Sequence, residues 1–80
     1  MGKDFKKIVS KVLGIPTSKI TSVTSPANTS SWDSIVTLLL ISELEKQFKV
    51  ELEIEDYSLI ESLGDIVRLM RQKGLKIDFE

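Results

Sequence analysis

The residues best placed to do chemistry are Ser31-Trp32-Asp33-Ser34-Ile35, where a polar stretch runs into the most apolar helix the sequence predicts. A serine hydroxyl is a weak nucleophile until another group activates it. Its position here matters more than its type. The first-turn N–H groups of a helix have no intrahelical acceptor, and the helix dipole adds positive character there. A phosphate ester on Ser34 would meet both favourably. The same residues also read as an ordinary helix start, with Asp33 or Ser34 as the cap. Local physics leaves both readings open.

Little else in the chain offers catalysis. Its 80 residues contain no Cys and no His. That removes a Ser-His-Asp triad, a thiolate nucleophile, an imidazole base and a Cys/His zinc site. Lysine or carboxylate chemistry stays possible, yet 80 residues that must form a core leave little room for a deep active-site cavity. We expect no catalytic residue and no metal site. With 41% apolar and 29% charged residues, the chain has the composition of a globular domain.

Charge is uneven along the chain. Residues 1–31 carry five Lys against Asp4; residues 33–66 carry nine acids against Lys46 and Lys49; residues 67–80 carry four bases against Asp78 and Glu80. An acidic middle argues against nucleic acid as a partner. The Lys-rich start reads as a solvated helix face. The longest apolar run, Leu38 to Ile41, is far too short to span a membrane. The start MGKDFKK lacks the apolar stretch of a signal peptide, so a cytoplasmic location is expected by default.

Hydrophobic spacing predicts an all-α fold: a small four-helix bundle, with three main helices, one short one and a long first loop. A single domain is expected over 1–80, with its core at about 4–73 and a frayed tail over 74–80. The first helix covers Asp4–Leu13, with Phe5, Ile8, Val9, Val12 and Leu13 in one stripe and Asp4 as cap. Gly14 and Pro16 stop it. Nine of the fifteen residues from Thr17 to Ser31 are Ser or Thr. Ile20 and Val23 are expected to pin this long connector, within which a short helical turn is possible. The second helix runs from Ser34 to Phe48, with Ile35, Leu38, Ile41, Leu44 and Phe48 as the core-facing stripe. Val36, Leu39 and Leu40 widen its apolar surface, which fits either a central buried helix or an exposed strip for a partner. Val50, Leu52 and Ile54 alternate like a strand without a partner, so the segment reads as loop, followed by a short helix over Glu55–Leu59. The last helix starts at Ser62 with Asp65 as a capping-box partner, buries Leu63, Ile66, Val67, Leu69 and Met70, and ends at Gly74.

With these elements in order, Asp33-Ser34-Ile35 resembles the Asp-Ser-Leu motif of acyl carrier proteins. The resemblance spans about residues 4–73. It includes the long first loop, Glu43-Leu44-Glu45 with Phe48, the acidic turn Glu51 to Asp56, and Ser62-Leu63. It implies that Ser34, preceded by Asp33, carries a 4′-phosphopantetheine arm, attached from coenzyme A by a phosphopantetheinyl transferase. The arm would supply the thiol this chain lacks, carrying acyl groups as thioesters between loading and acyl-using enzymes. The protein would be a non-catalytic monomer. Leu38, Ile41, Leu44, Phe48, Ile54, Ile60, Leu63 and Ile66 match positions lining an interior that can admit an acyl chain; an ordinary core explains the same residues equally well.

Departures from the family are informative. Fatty-acid carriers place acids along the second helix after the modified Ser. Here those positions hold Val36 and Leu39, a later one is Lys46, and Glu43 and Glu45 alone stay acidic on that helix. An apolar docking surface of Ile35, Val36 and Leu39 with Glu43 is therefore expected, with Trp32 beside it or serving as a loop anchor. Thr24-Ser25-Pro26-Ala27 and Trp32-Asp33-Ser34 look more like specialised stand-alone carriers of bacterial biosynthetic clusters, working in lipid, polyketide or secondary metabolism. Two other readings remain. One is a helical adaptor that binds protein through the second helix with Ser34 unmodified. The other is a module that holds an acyl ligand without a covalent bond.

Overall fold

A computed structural model describes residues 5–77 and 79. Its helices are α1 (Phe5–Leu13), α2 (Ser34–Phe48), α3 (Ile54–Tyr57) and α4 (Leu63–Gln72), with a 3-10 turn at Thr17–Lys19. This is the all-helical bundle the spacing predicts, and no strand occurs among the described residues. The expected cap Asp4 lies outside them. In α1, Phe5, Val9 and Leu13 are buried, with Ile8 and Val12 packed against them. Gly14 ends the helix in the left-handed region (φ 71°), which glycine enters without a Cβ penalty.

The long loop is ordered by its own polar side chains. Thr24 Oγ1 accepts from the Thr21 N–H (2.9 Å), and Asn28 accepts from the Ser25 N–H (2.9 Å) while donating to the Val23 carbonyl (2.8 Å). Ile20 is buried as expected, but Val23 is 70% exposed and pins nothing. Trp32 and Thr24 fill the buried role instead. The loop then docks on α4: the Leu63 N–H donates to Thr24 O (2.7 Å) and the Gly64 N–H to Ser22 O (2.9 Å). These bonds do the work assigned above to a Ser62 cap. Ser62 occupies the cap position without a side-chain cap bond, and Asp65 reaches one residue further back, to the Glu61 N–H (2.9 Å).

The bounds of α2 are as predicted, but its buried face is rotated. Leu40, Ile41 and Leu44 are fully buried, with Val36 and Phe48 packed beside them. Ile35 and Leu38, expected inside, are 66% and 54% exposed. Thr37 explains the rotation: its hydroxyl takes the indole N–H of buried Trp32 (2.7 Å), which puts a polar residue on the inner face and sets the phase 37, 40, 41, 44, 48. Lys49 closes the helix in the left-handed region (φ 57°). Glu45 then accepts the Leu52 N–H (2.7 Å), tying the following loop down. Helix α3 starts one residue earlier than expected and ends two earlier, at Tyr57. Burial and the Glu45 carboxylate push the Tyr57 hydroxyl pKa above its ordinary value.

The described residues of the tail are docked, not frayed; Asp78 and Glu80 lie outside them. Ile77 and Phe79 are buried. Arg71 donates to the carbonyls of Ile77 (2.8 Å) and Phe79 (2.9 Å). The Phe79 ring meets Phe5 edge-on at 5.3 Å, with the Lys6 ammonium 5.5 Å from its centroid. The alternation Leu75, Ile77, Phe79 was the available signal.

Candidate functional site

Ser34 is the first residue of α2 and is exposed. Asp33, in extended conformation (φ −124°, ψ −171°), turns its carboxylate into the first turn and accepts the Val36 N–H at 2.9 Å. Asp33 is therefore the cap, and the Ser34 hydroxyl is not needed for that role. The N–H groups of Ser34 and Ile35 belong to the first turn and have no intrahelical acceptor.

The segment before Ser34 is held tightly. The Trp32 N–H donates to Thr29 O (3.0 Å). Its indole donates to Thr37 Oγ1, whose own hydroxyl proton goes to Asp33 O (3.1 Å). Asp33 O also accepts the Thr37 N–H (2.9 Å). Of the two roles offered for Trp32, beside the docking surface or as a loop anchor, its 2% exposure fits the loop anchor and not partner contact.

The expected docking residues separate. Ile35 and Leu39 are exposed, and Leu38 joins them, giving an outward stripe at spacings of three and four. Val36 is half-buried against the core, so it is not a free docking residue. Glu43 is half-buried and accepts from the Gln47 amide (2.8 Å).

The expected interior residues separate as well. Ile41, Leu44, Leu63 and Ile66 are buried together, and Phe48 and Ile60 pack against them. Leu38 is on the outward stripe, and Ile54, at the start of α3, is 84% exposed; neither lines the interior. Leu40, Met70 and Val9 do, and were not singled out for it. Leu40 was hidden by the run Leu38-Leu39-Leu40-Ile41, which fits two helical phases.

Among the described residues no three His, Cys, Asp or Glu converge as a metal site. A groove of about 450 Å³ lies where the loop, α4 and the tail meet, lined by Gly64, Arg68 and Phe79 among others. Ser34 does not line it. Ser34 is therefore an exposed hydroxyl at a helix start, outside that groove. The residues present fit a covalent phosphodiester: an exposed hydroxyl, first-turn N–H donors, the positive helix end, and an Asp33 carboxylate already turned toward Val36.

A family model described as "Phosphopantetheine attachment site" matches residues 3–70. A solved structure from Mycobacterium tuberculosis, described as "a putative acyl carrier protein", superposes with a TM-score of 0.75 at 22% sequence identity, covering 86% of this chain and 92% of that one. That likeness establishes the shared fold. No helix among the described residues is long and apolar enough to cross a membrane.

Proposed function

This chain belongs to the phosphopantetheine-attachment family, and from that premise we propose that Ser34 is its attachment residue. Members of the family are non-catalytic carriers of covalent 4′-phosphopantetheine. One observation carries the assignment to Ser34: it is the exposed first residue of α2, immediately after a cap that leaves its hydroxyl unneeded.

The chemistry is a group transfer from coenzyme A. The Ser34 Oγ attacks the β-phosphorus, the Oγ–P bond forms, the P–O bond to 3′,5′-ADP breaks, and the serine proton passes to a base of the transferase. The bound arm supplies a thiol that carries acyl groups as thioesters. Partners are a phosphopantetheinyl transferase and the enzymes that load and use the acyl group. They dock on the stripe Ile35, Leu38 and Leu39. With Lys46 on α2 and Glu43 tied to Gln47, this surface suits a specialised biosynthetic pathway better than partners tuned to an acidic helix. The carrier is a cytoplasmic monomer folded as one domain. Ile41, Leu44, Leu63 and Ile66, with Leu40 and Met70, form the interior an acyl chain would enter.

The test is intact-mass spectrometry before and after incubation with coenzyme A and a broad-specificity phosphopantetheinyl transferase. Wild type should gain one phosphopantetheine and Ser34→Ala none, while its circular-dichroism melt is kept. A folded wild type unmodified by several transferases refutes the assignment, as does a gain that persists in Ser34→Ala.

A further inference from the structure

The residues flanking Ser34, namely Trp32, Asp33 and Thr37, are joined by hydrogen bonds that also set the phase of α2. Asp33 O receives two donors from Thr37, its N–H (2.9 Å) and its hydroxyl (3.1 Å). The hydroxyl in turn accepts the indole N–H of Trp32 at 2.7 Å. Trp32 is fixed at its other end by burial and by its N–H bond to Thr29. The carbonyl of Asp33 belongs to the peptide group that leads into Ser34, so the two Thr37 donors restrain the plane in which the Ser34 Cα lies. Proton bookkeeping closes: the single hydroxyl proton of Thr37 goes to Asp33 O, and its lone pair takes the indole proton.

We infer that Trp32 and Thr37 are positioning residues for modification of Ser34, holding the loop–helix junction so that Oγ meets the coenzyme A phosphorus in line within the transferase complex. The inference rests on Ser34 being the attachment residue. In-line displacement demands a narrow range of approach, and loss of orientation alone costs large factors in rate. Cap bonding fixes the carboxylate of Asp33 to Val36, and the helical bond from the Thr37 N–H restrains the Asp33 carbonyl once. The Thr37 hydroxyl, anchored by the Trp32 indole, adds the second restraint.

Three variants test this: Thr37→Ser, Thr37→Val and the double variant Trp32→Phe/Thr37→Val. Thr37→Val is near-isosteric and removes the relay, but leaves the buried indole N–H unpaired. The double variant removes both partners, so no orphaned polar group remains. Each is assayed with coenzyme A and a phosphopantetheinyl transferase, and thermal melts are run alongside. Trp32 is the one Trp in the chain, so its single indole N–H resonance reports the relay directly.

Thr37→Ser should keep the wild-type rate and indole shift. Thr37→Val and the double variant should lose about tenfold in transferase kcat/KM, with the loss in kcat and KM for the carrier unchanged. The inference is overturned if Thr37→Val is modified at the wild-type rate with its indole resonance moved. It is equally overturned if the double variant regains the wild-type rate, since the relay would then act only through stability. Failure of both valine-bearing variants to fold overturns it too, because the pair would be structural. An unmodified wild type is a different result: it refutes the assignment of Ser34 itself.

Discussion

Gly64→Ala sets two effects of similar size against each other, and the structure decides the sign. Glycine in a helix interior costs about 1 kcal/mol relative to alanine, and that is the upper bound on what the substitution can add at Gly64, the second residue of α4. Yet a Cβ at position 64 would stand 3.0 Å from Ser22 O and 3.3 Å from Ser22 Cβ. That oxygen is the acceptor for the Gly64 N–H at 2.9 Å, and the Leu63 N–H bond to Thr24 O is its neighbour. The loop cannot yield freely, because Thr21 bonds Thr24 and Asn28 bonds the Val23 carbonyl on either side of the contact. Losing two hydrogen bonds at about 1 kcal/mol each outweighs the helix gain. The net is destabilisation by about 1 kcal/mol, or a melting temperature lower by about 4–8 °C. Urea denaturation gives the free energy, and native-state hydrogen exchange at the amides of residues 63 and 64 gives the cause. A variant more stable than wild type, with both amides still protected, refutes the reasoning: the loop would have moved aside without cost.

The phase of α2 is tested by neighbours. Leu39→Glu should stay within about 0.5 kcal/mol of wild type because it faces water. Leu40→Ala should cost about 2–5 kcal/mol because Leu40 is fully buried. Equal effects in denaturant titrations would mean that the helix is rotated from the phase described. Phe79→Ala should cost about 2 kcal/mol, less than a central phenylalanine, since it removes the Phe5 contact at the edge of the core. A thermal melt unchanged within about 1 °C would show that tail docking adds nothing to stability.

Which parts of this molecule could be read from sequence follows from the range of the forces involved. The bounds of α2 were legible because Asp33 is a cap by type and the apolar pattern runs out at Phe48. Its buried face was legible only at Ile41, Leu44 and Phe48, because four consecutive apolar residues satisfy two phases and the deciding residue, Thr37, is polar. The Asp-Ser motif pointed to Ser34 as the candidate, while its freedom from capping needed the observed Asp33–Val36 bond. The Ser/Thr content of the loop was visible. Its docking on α4 was not, since the bonds from Leu63 and Gly64 join segments some 40 residues apart in sequence. The tail looked frayed in the sequence because Phe79 packs on Phe5, at the other end of the chain. A short segment after Gly74 looks loose until Arg71 reaches two of its carbonyls.

The corrected phase of α2 changes what the outward surface can do. Once Val36 turns inward, the apolar residues left outside are Ile35, Leu38 and Leu39, a stripe that begins next to Ser34 and runs along one side of the helix. Charged contacts chiefly raise encounter rates, whereas buried apolar contacts lengthen the time a complex lasts. A partner with a basic patch finds little along α2 after Asp33: Glu43 is half-buried and paired with Gln47, Glu45 holds the Leu52 N–H, and the exposed end of the helix carries Lys46. A partner with an apolar recess beside its active site finds three adjacent side chains to fill it, and Ser34 at their head. Leu39→Glu should therefore leave the fold intact and raise the KM of an enzyme that uses the loaded carrier, with kcat unchanged. A kcat loss at constant KM would place Leu39 in the reacting geometry and not in docking.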